Sequence, residues 1–177
     1  MPIVRTFYPD SPLGPLTLAG DEDALVGCWF NDQKHFGSGL VNESTPTQSL
    51  TVFNEAAAWL DDYFSGGTPS PNDLPLSPVG TDFQQLVWAE LKKIPVGETT
   101  TYGQLGARVA AKLGTPRMSA QAVGGAVGRN PLSIIVPCHR VVSSSGALTG
   151  YSGGIDRKRW LLDHESIHSS REAVSSC

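Results

Sequence analysis

The sequence predicts an α+β chain of two parts, a small N-terminal α+β unit and a helical C-terminal unit built around a helix-turn-helix. Three observations predict it. Short apolar runs bounded by turn residues fill the first thirty positions. A stretch from Ser65 to Thr81 holds four prolines and three glycines, a density that no helix or central strand survives. Beyond it, apolar residues recur at helical spacing in several short segments.

In the N-terminal part, Ile3 to Tyr8, Leu16 to Ala19 and Leu25 to Phe30 read as strands, separated by turn-like Ser11-Pro-Leu-Gly14 and Asp21-Glu-Asp23. Residues 31–46 are polar and irregular. Phe53, Ala56, Leu60 and Phe64 then mark an amphipathic helix over 48–64. The Pro/Gly-rich stretch 65–81 reads as a linker, so the domains are expected at 1–80 and 81–165.

After the linker, Phe83, Val87, Leu91 and Ile94 give a helix over 82–93, capped by Thr81 or Asp82 and ended near Pro95. A second helix runs from about Thr101 to Ala111 and is broken by Leu113-Gly-Thr-Pro116. A third runs from about Ser119 to Val127; its small residues, Ala122, Gly124, Gly125 and Ala126, either pack tightly inside the domain or let another backbone approach. Two short helices joined by a Gly-containing break are a helix-turn-helix. Leu132 to Val136 reads as a buried strand stopped by Pro137, residues 146–154 as a loop, and 155–164 as a basic helix. Residues 166–177 are Ser-rich and expected to fray.

The bulk numbers exclude several classes. The chain has 177 residues, 40% of them apolar, enough for a real core, and no apolar run approaches transmembrane length. Met1-Pro-Ile-Val-Arg5 shows no basic-then-apolar leader. Cys28, Cys138 and Cys177 are an odd number without repeated spacing, which favours a reducing cytoplasmic setting over a disulfide framework. No CxxC pair occurs and the four histidines show no zinc-ligand spacing, so no metal is expected. The net charge of −4 hides an asymmetry: residues 1–80 carry two basic and ten acidic side chains, whereas 81–165 carry ten basic and six acidic. The second half alone has the charge of a polyanion binder.

Chemistry concentrates at Pro137-Cys138-His139-Arg140. A thiol bordering an imidazole and a guanidinium is a candidate for a lowered pKa, since nearby positive charge favours thiolate. The alternative is a small buried core residue. Adjacent side chains usually point apart, so direct proton transfer from Cys138 to His139 is awkward; one bridging water would solve it. The imidazole would then need an orienting carboxylate, for which Glu165 is a candidate.

Asn130 to Val142, with Pro-Cys-His-Arg-Val at its centre, resembles the signature of the O6-alkylguanine-DNA alkyltransferases. The likeness extends in order and spacing through Phe83, Val87-Trp88, Ile94-Pro-Val-Gly97, Thr99-Thr-Thr-Tyr102, Ala122-Val-Gly124, Gly150-Tyr-Ser-Gly-Gly154 and Leu161-Leu-Asp-His-Glu165. It covers residues 81–165 well and the N-terminal half more loosely, where Ser11-Pro-Leu-Gly14 is the clearest match. The resemblance implies a ribonuclease-H-like N-terminal domain and a winged helix-turn-helix that binds DNA and carries the active site.

It also implies DNA repair in one irreversible step, in which the thiolate keeps the alkyl group of an O6-alkylguanine flipped out of the duplex. No cofactor is called for. The expected partner is double-stranded DNA held by its minor groove, with the protein monomeric and independent of membranes. Carried over by likeness, Cys138 accepts the alkyl group, His139 takes its proton through water and Glu165 orients the imidazole. Tyr102 gives its hydroxyl to the base. Tyr151 and Ser152 line the pocket, with the Ser152 N–H near O6, and the carbonyls of Cys138 and Val141 receive the guanine amino group. Asn130 ties the recognition helix to the segment before Cys138, or caps that helix. Arg140 is structural.

One position departs from the family. Where an arginine usually enters the base stack, just before Ala-Val-Gly, this chain has Gln121. A glutamine fills space but lacks the charge and planar reach of arginine. Either flipping is supported less strongly, or Arg117 or Arg129 shares the task. Some family members hold zinc in the N-terminal domain; residues 1–80 offer only Cys28 and His35, so none is expected. Within the family the alternative is a lesion-binding protein without transfer, and outside it a DNA-binding regulator or a thiol hydrolase.

Overall fold

The computed structural model describes residues 3–38, 40, 45–46 and 50–175. Cys177 and part of the irregular 31–46 stretch lie outside the described residues. The chain divides into two compact units, residues 1–80 with Pro131–Ile135, and residues 81–130 with Val136–Cys177.

The first unit is a four-stranded sheet with one helix. The strands are β1 (Val4–Tyr8), β2 (Leu16–Gly20), β3 (Leu25–Phe30) and β4 (Thr45–Pro46), in the order β3-β2-β1-β4. β1 pairs antiparallel with β2, and β2 with β3, whereas β4 adds parallel to β1. The two-residue β4 is a departure from the irregular reading of 31–46; two residues carry no periodicity to detect. Every residue of β2 and β3 is buried. Both faces of these strands are covered, so that even Thr17 of β2 is buried.

Helix α1 (Thr51–Phe64) buries Val52, Phe53, Ala56, Trp59, Leu60 and Tyr63, the face its spacing predicts. The Trp59 indole N–H donates to the Ser70 carbonyl at 2.8 Å, tying the Pro/Gly-rich stretch to the helix. That stretch then runs along β3: Leu25 N–H donates to Pro75 O at 2.8 Å, and Ser77 N–H to Leu25 O at 2.9 Å. Pro131 and Ser133 make the equivalent pair with Cys28, each at 2.8 Å. The open edge of β3 is thereby given partners by two non-strand segments.

The expected strand at 132–136 does not form. Leu132 makes one isolated bridge to Cys28, after which the chain turns, with Ile134 at φ 71°. Burial is as expected, since Leu132 to Val136 are all buried. An apolar run reports burial and not strand geometry, and prolines at both ends remove two ladder donors. A β-branched residue at positive φ persists only where packing imposes it.

The second unit is helical. α2 (Asp82–Leu91) starts at a capping box between Thr81 and Gln84. β5 (Thr100–Thr101) leads directly into α3 (Tyr102–Leu113), which has its own capping box between Thr101 and Gln104. Gly114, at φ 67°, ends α3 in the left-handed conformation that a residue with Cβ resists. α4 (Ala120–Gly128) opens on Ser119, whose side chain accepts from the Ala122 N–H. Trp88 locks α2 to α4 by donating to the Ala126 carbonyl at 2.9 Å. β6 (Val141–Val142) pairs parallel with β5, which places the start of α3 beside the residues that follow Cys138.

α5 runs Ile155–Ser175, past the point where the Ser-rich composition predicts fraying. Once the first turns are anchored by buried Lys158, Leu161 and Glu165, adding a helical residue needs no new nucleus. Among the described residues no helix is long and apolar enough to cross a membrane.

Candidate active site

Cys138, His139 and Arg140 form one 3-10 turn between Pro137 and β6, and all three are buried. Their side chains do not cluster around the sulfur. His139 Nε2 meets Glu165 Oε1 at 2.6 Å. Arg140 donates to the same carboxylate, Nε to Oε2 and Nη2 to Oε1, both at 2.9 Å. Its Nη1 donates to the Ile94 carbonyl at 2.5 Å. Arg140 is therefore the clamp on Glu165, in keeping with a structural role.

This wiring sets the protonation states. Burial alone would raise the Glu165 pKa, but His139 and Arg140 outweigh it and hold the carboxyl below its usual range. The permanently charged guanidinium suffices to keep it an anion. Burial lowers the His139 pKa, and the Arg140 and Lys158 charges lower it further; Glu165 pulls the other way without reversing the direction. The resting imidazole is neutral. With Nε2–H directed at a carboxylate, the lone pair lies on Nδ1, which is buried and makes no hydrogen bond to protein. His139 is a base whose accepting nitrogen is uncommitted.

The expectation of a lowered Cys138 pKa is overturned. Burial raises it, against the opposing pull of the Asn130 hydrogen bond, the Lys158 charge and the backbone N–H groups of Cys138 and His139. The two sequence neighbours do not supply the charge. Arg140 is turned to Glu165 and Ile94, and His139 is neutral. Cys138 rests as a thiol, and its thiolate must be made on demand.

Among the described residues the cation that favours the thiolate is Lys158, which the sequence shows only as part of a basic helix. It is fully buried. Its Nζ donates to Val141 O at 2.5 Å and to Thr149 O at 2.9 Å. Burial lowers its pKa while Cys138 raises it. Periodicity narrows the choice only in part: Arg157 (i+4) and Lys158 (i+3) both fall at helical spacing with buried Leu161, whereas Arg159 does not, and the fold buries Lys158.

Asn130 lies just past the C-terminal cap of α4, which is Arg129, so the capping alternative belongs to its neighbour. Buried Asn130 donates Nδ2–H to Val136 O at 2.7 Å, spanning the point where the chain leaves the second unit and re-enters it. Tyr102, the first residue of α3, is half-buried and donates to Thr149 O at 3.3 Å. Burial raises its pKa, with Cys138 adding to the effect, so it remains a proton donor.

Tyr151 is buried, and Ser152 Oγ donates to Gly128 O in the last turn of α4 at 2.6 Å. The two carbonyls assigned to a guanine amino group already have donors: Val141 N–H on Cys138 O, and Lys158 on Val141 O. Each keeps one further lone pair.

Gln121, Arg117 and Arg129 are all exposed, on or flanking α4. A Cβ built on Gly125 or Gly128 would meet nothing within 4 Å. Internal packing thus does not require these small residues. Gly106 on α3 is different, because its Cβ would touch Val123 at 3.6 Å. Among the described residues no group of three or more His, Cys, Asp or Glu could hold a metal ion.

Comparison with known proteins matches both halves to family models. Residues 82–167 match the DNA-binding domain of 6-O-methylguanine DNA methyltransferase, and residues 3–78 match its ribonuclease-like domain. A methylated-DNA--protein-cysteine methyltransferase of Methanosarcina acetivorans is 46% identical over 156 residues, covering 88% of this chain and 94% of its own. One from Mycobacterium bovis is 47% identical, covering 88% of each. Among solved structures, Mycobacterium tuberculosis OGT in complex with DNA has a TM-score of 0.78 at 42% identity, covering 95% of this chain and 94% of its own.

Proposed function

Since the chain belongs to the 6-O-methylguanine DNA methyltransferase family, we infer that it is a methylated-DNA--protein-cysteine methyltransferase that repairs O6-alkylguanine by direct transfer of the alkyl group to Cys138. The observation that carries this reading is the uncommitted Nδ1 of neutral His139, backed by Glu165 at 2.6 Å.

The step balances without a cofactor. One water relays the Cys138 proton to His139 Nδ1, and Glu165 stabilises the imidazolium formed. The thiolate attacks the alkyl carbon; an S–C bond forms and the C–O6 bond breaks. The electron pair leaves on guanine, and the Tyr102 hydroxyl supplies a proton to that base. Lys158 stabilises the transient thiolate, which burial otherwise disfavours. The thioether has no leaving group that restores the thiol, so each chain acts once.

The base must leave the duplex for its O6 substituent to reach a buried sulfur. We read α4 as the element that lies in the minor groove, where the open space at Gly125 and Gly128 admits a sugar-phosphate backbone. Gln121 takes the place of the extruded nucleotide, and Arg117 and Arg129 add charge toward phosphates.

Incubation with an oligonucleotide duplex carrying O6-methylguanine, followed by intact-mass measurement, tests the reading. Addition of one methyl, mapped to Cys138 and absent in Cys138→Ala, supports it. Binding of the duplex without a mass gain would leave a lesion-binding protein, and turnover of an ester or amide a thiol hydrolase.

A further inference from the structure

Residues 164–168 read His-Glu-Ser-Ile-His, and α5 carries all five. An imidazole four residues from another on a helix lies on the same face, one turn away, and this spacing serves metal ions elsewhere in proteins. The absence of zinc-ligand spacing among the histidines therefore holds for structural four-ligand patterns and not for this pair. The matched family stretch ends at residue 167, so the second histidine lies beyond it.

The geometry favours a shared ligand. The His164 and His168 ring centroids are 4.6 Å apart, with planes at 65°. Two imidazoles bound to one ion at metal–nitrogen lengths of about 2.0–2.1 Å have ring centres roughly 4.5–5 Å apart. The rings already stand at that separation, and rotation about their side-chain bonds is the movement that brings one nitrogen of each toward a common point. Trp160 stacks on His164 at 4.8 Å and 15°, which narrows the rotamers that His164 samples.

We propose that His164 and His168 form a two-imidazole site for a borderline divalent transition-metal ion, the class of Cu2+, Ni2+ and Zn2+. Paired imidazoles suit these ions, whereas Mg2+ and Ca2+ take oxygen ligands. No third such side chain joins the pair among the described residues, so water or a small anion completes the coordination. The glutamate inside the motif does not make this a peptidase site. It is Glu165, buried, with both oxygens already bound by His139 and Arg140.

Calorimetric titration of the full chain with Ni2+ at about pH 7.5 tests the site. We expect one ion per chain. His164→Gln and His168→Gln should each weaken binding by about tenfold or more, whereas Cys138→Ser and Cys177→Ser should not alter it. Paramagnetic broadening by Ni2+ of both imidazole C–H signals in the native chain is the second readout, independent of the variants. Absence of binding, binding that survives either histidine substitution, binding that follows a cysteine, or broadening of only one ring overturns the proposal.

Discussion

Arg140 holds both oxygens of Glu165, Nε on Oε2 and Nη2 on Oε1, each at 2.9 Å. The histidine beside it in sequence reaches the same carboxylate from Nε2 at 2.6 Å. Two residues that are neighbours in sequence thus converge on one carboxylate some 25 positions away, and the opposite nitrogen of the imidazole, Nδ1, is buried without a hydrogen bond.

Arg140→Lys removes the two-pronged contact and leaves a buried carboxylate short of donors. A destabilisation of about 2–4 kcal/mol is expected, read by urea denaturation. Glu165→Gln should also lower stability, by about 3 kcal/mol or more, because it leaves the buried Arg140 charge uncompensated, and it should slow alkyl transfer by roughly a hundredfold, because the imidazolium loses its counter-charge. Equal stability of Arg140→Lys and the native chain would show that the clamp does not matter.

Lys158→Met deletes the cation whose charge favours the Cys138 thiolate and leaves the Val141 and Thr149 carbonyls without that donor. The rate of Cys138 modification by iodoacetamide should need a higher pH than in the native chain. Stability should fall by about 1–3 kcal/mol. An unchanged pH–rate profile would remove Lys158 from the activation of the thiol.

Gly125→Leu separates internal packing from external approach. Its Cβ has open space, and a helix interior favours leucine over glycine by about 0.8 kcal/mol. Thermal stability should hold or rise, while affinity for duplex DNA falls by tenfold or more as the side chain stands in the contact face. Undiminished DNA affinity would place the contact elsewhere than α4.

The histidine also sets a pH dependence. The folded His139 pKa lies below its ordinary 6.5 because burial disfavours the charged ring. The unfolded chain therefore binds the proton first, and stability falls as pH drops through about 6.5 toward the lower folded value. Glu165, whose folded pKa is also depressed, adds a second loss below about 4.5 as unfolded carboxylates protonate. Melting temperature measured from pH 8 to 4 should decline over both windows. Alkyl transfer should decline on the same acidic side, since a protonated imidazole accepts nothing. A melting temperature flat from pH 7 to 5 contradicts a neutral buried His139.

By itself the sequence determined the two-part α+β organisation and the three short helices, with a cap legible for the first of them, and it singled out Cys138, His139 and Glu165 as candidates. Local rules suffice for these, because helical periodicity, proline and glycine breaks and a specific motif are written in neighbouring residues. Tertiary structure decided the turn at 132–136, the continuation of α5 and the protonation state of the site. Periodicity reports that Leu132 to Val136 are buried, but only the edge of β3 decides what shape they take there. Adjacent basic residues look like activators of Cys138. In the fold they are spent on Glu165, and the cation that reaches the thiol is Lys158, twenty positions away. Which charge meets which atom depends on side-chain direction and burial, and neither is a property of the chain before it folds.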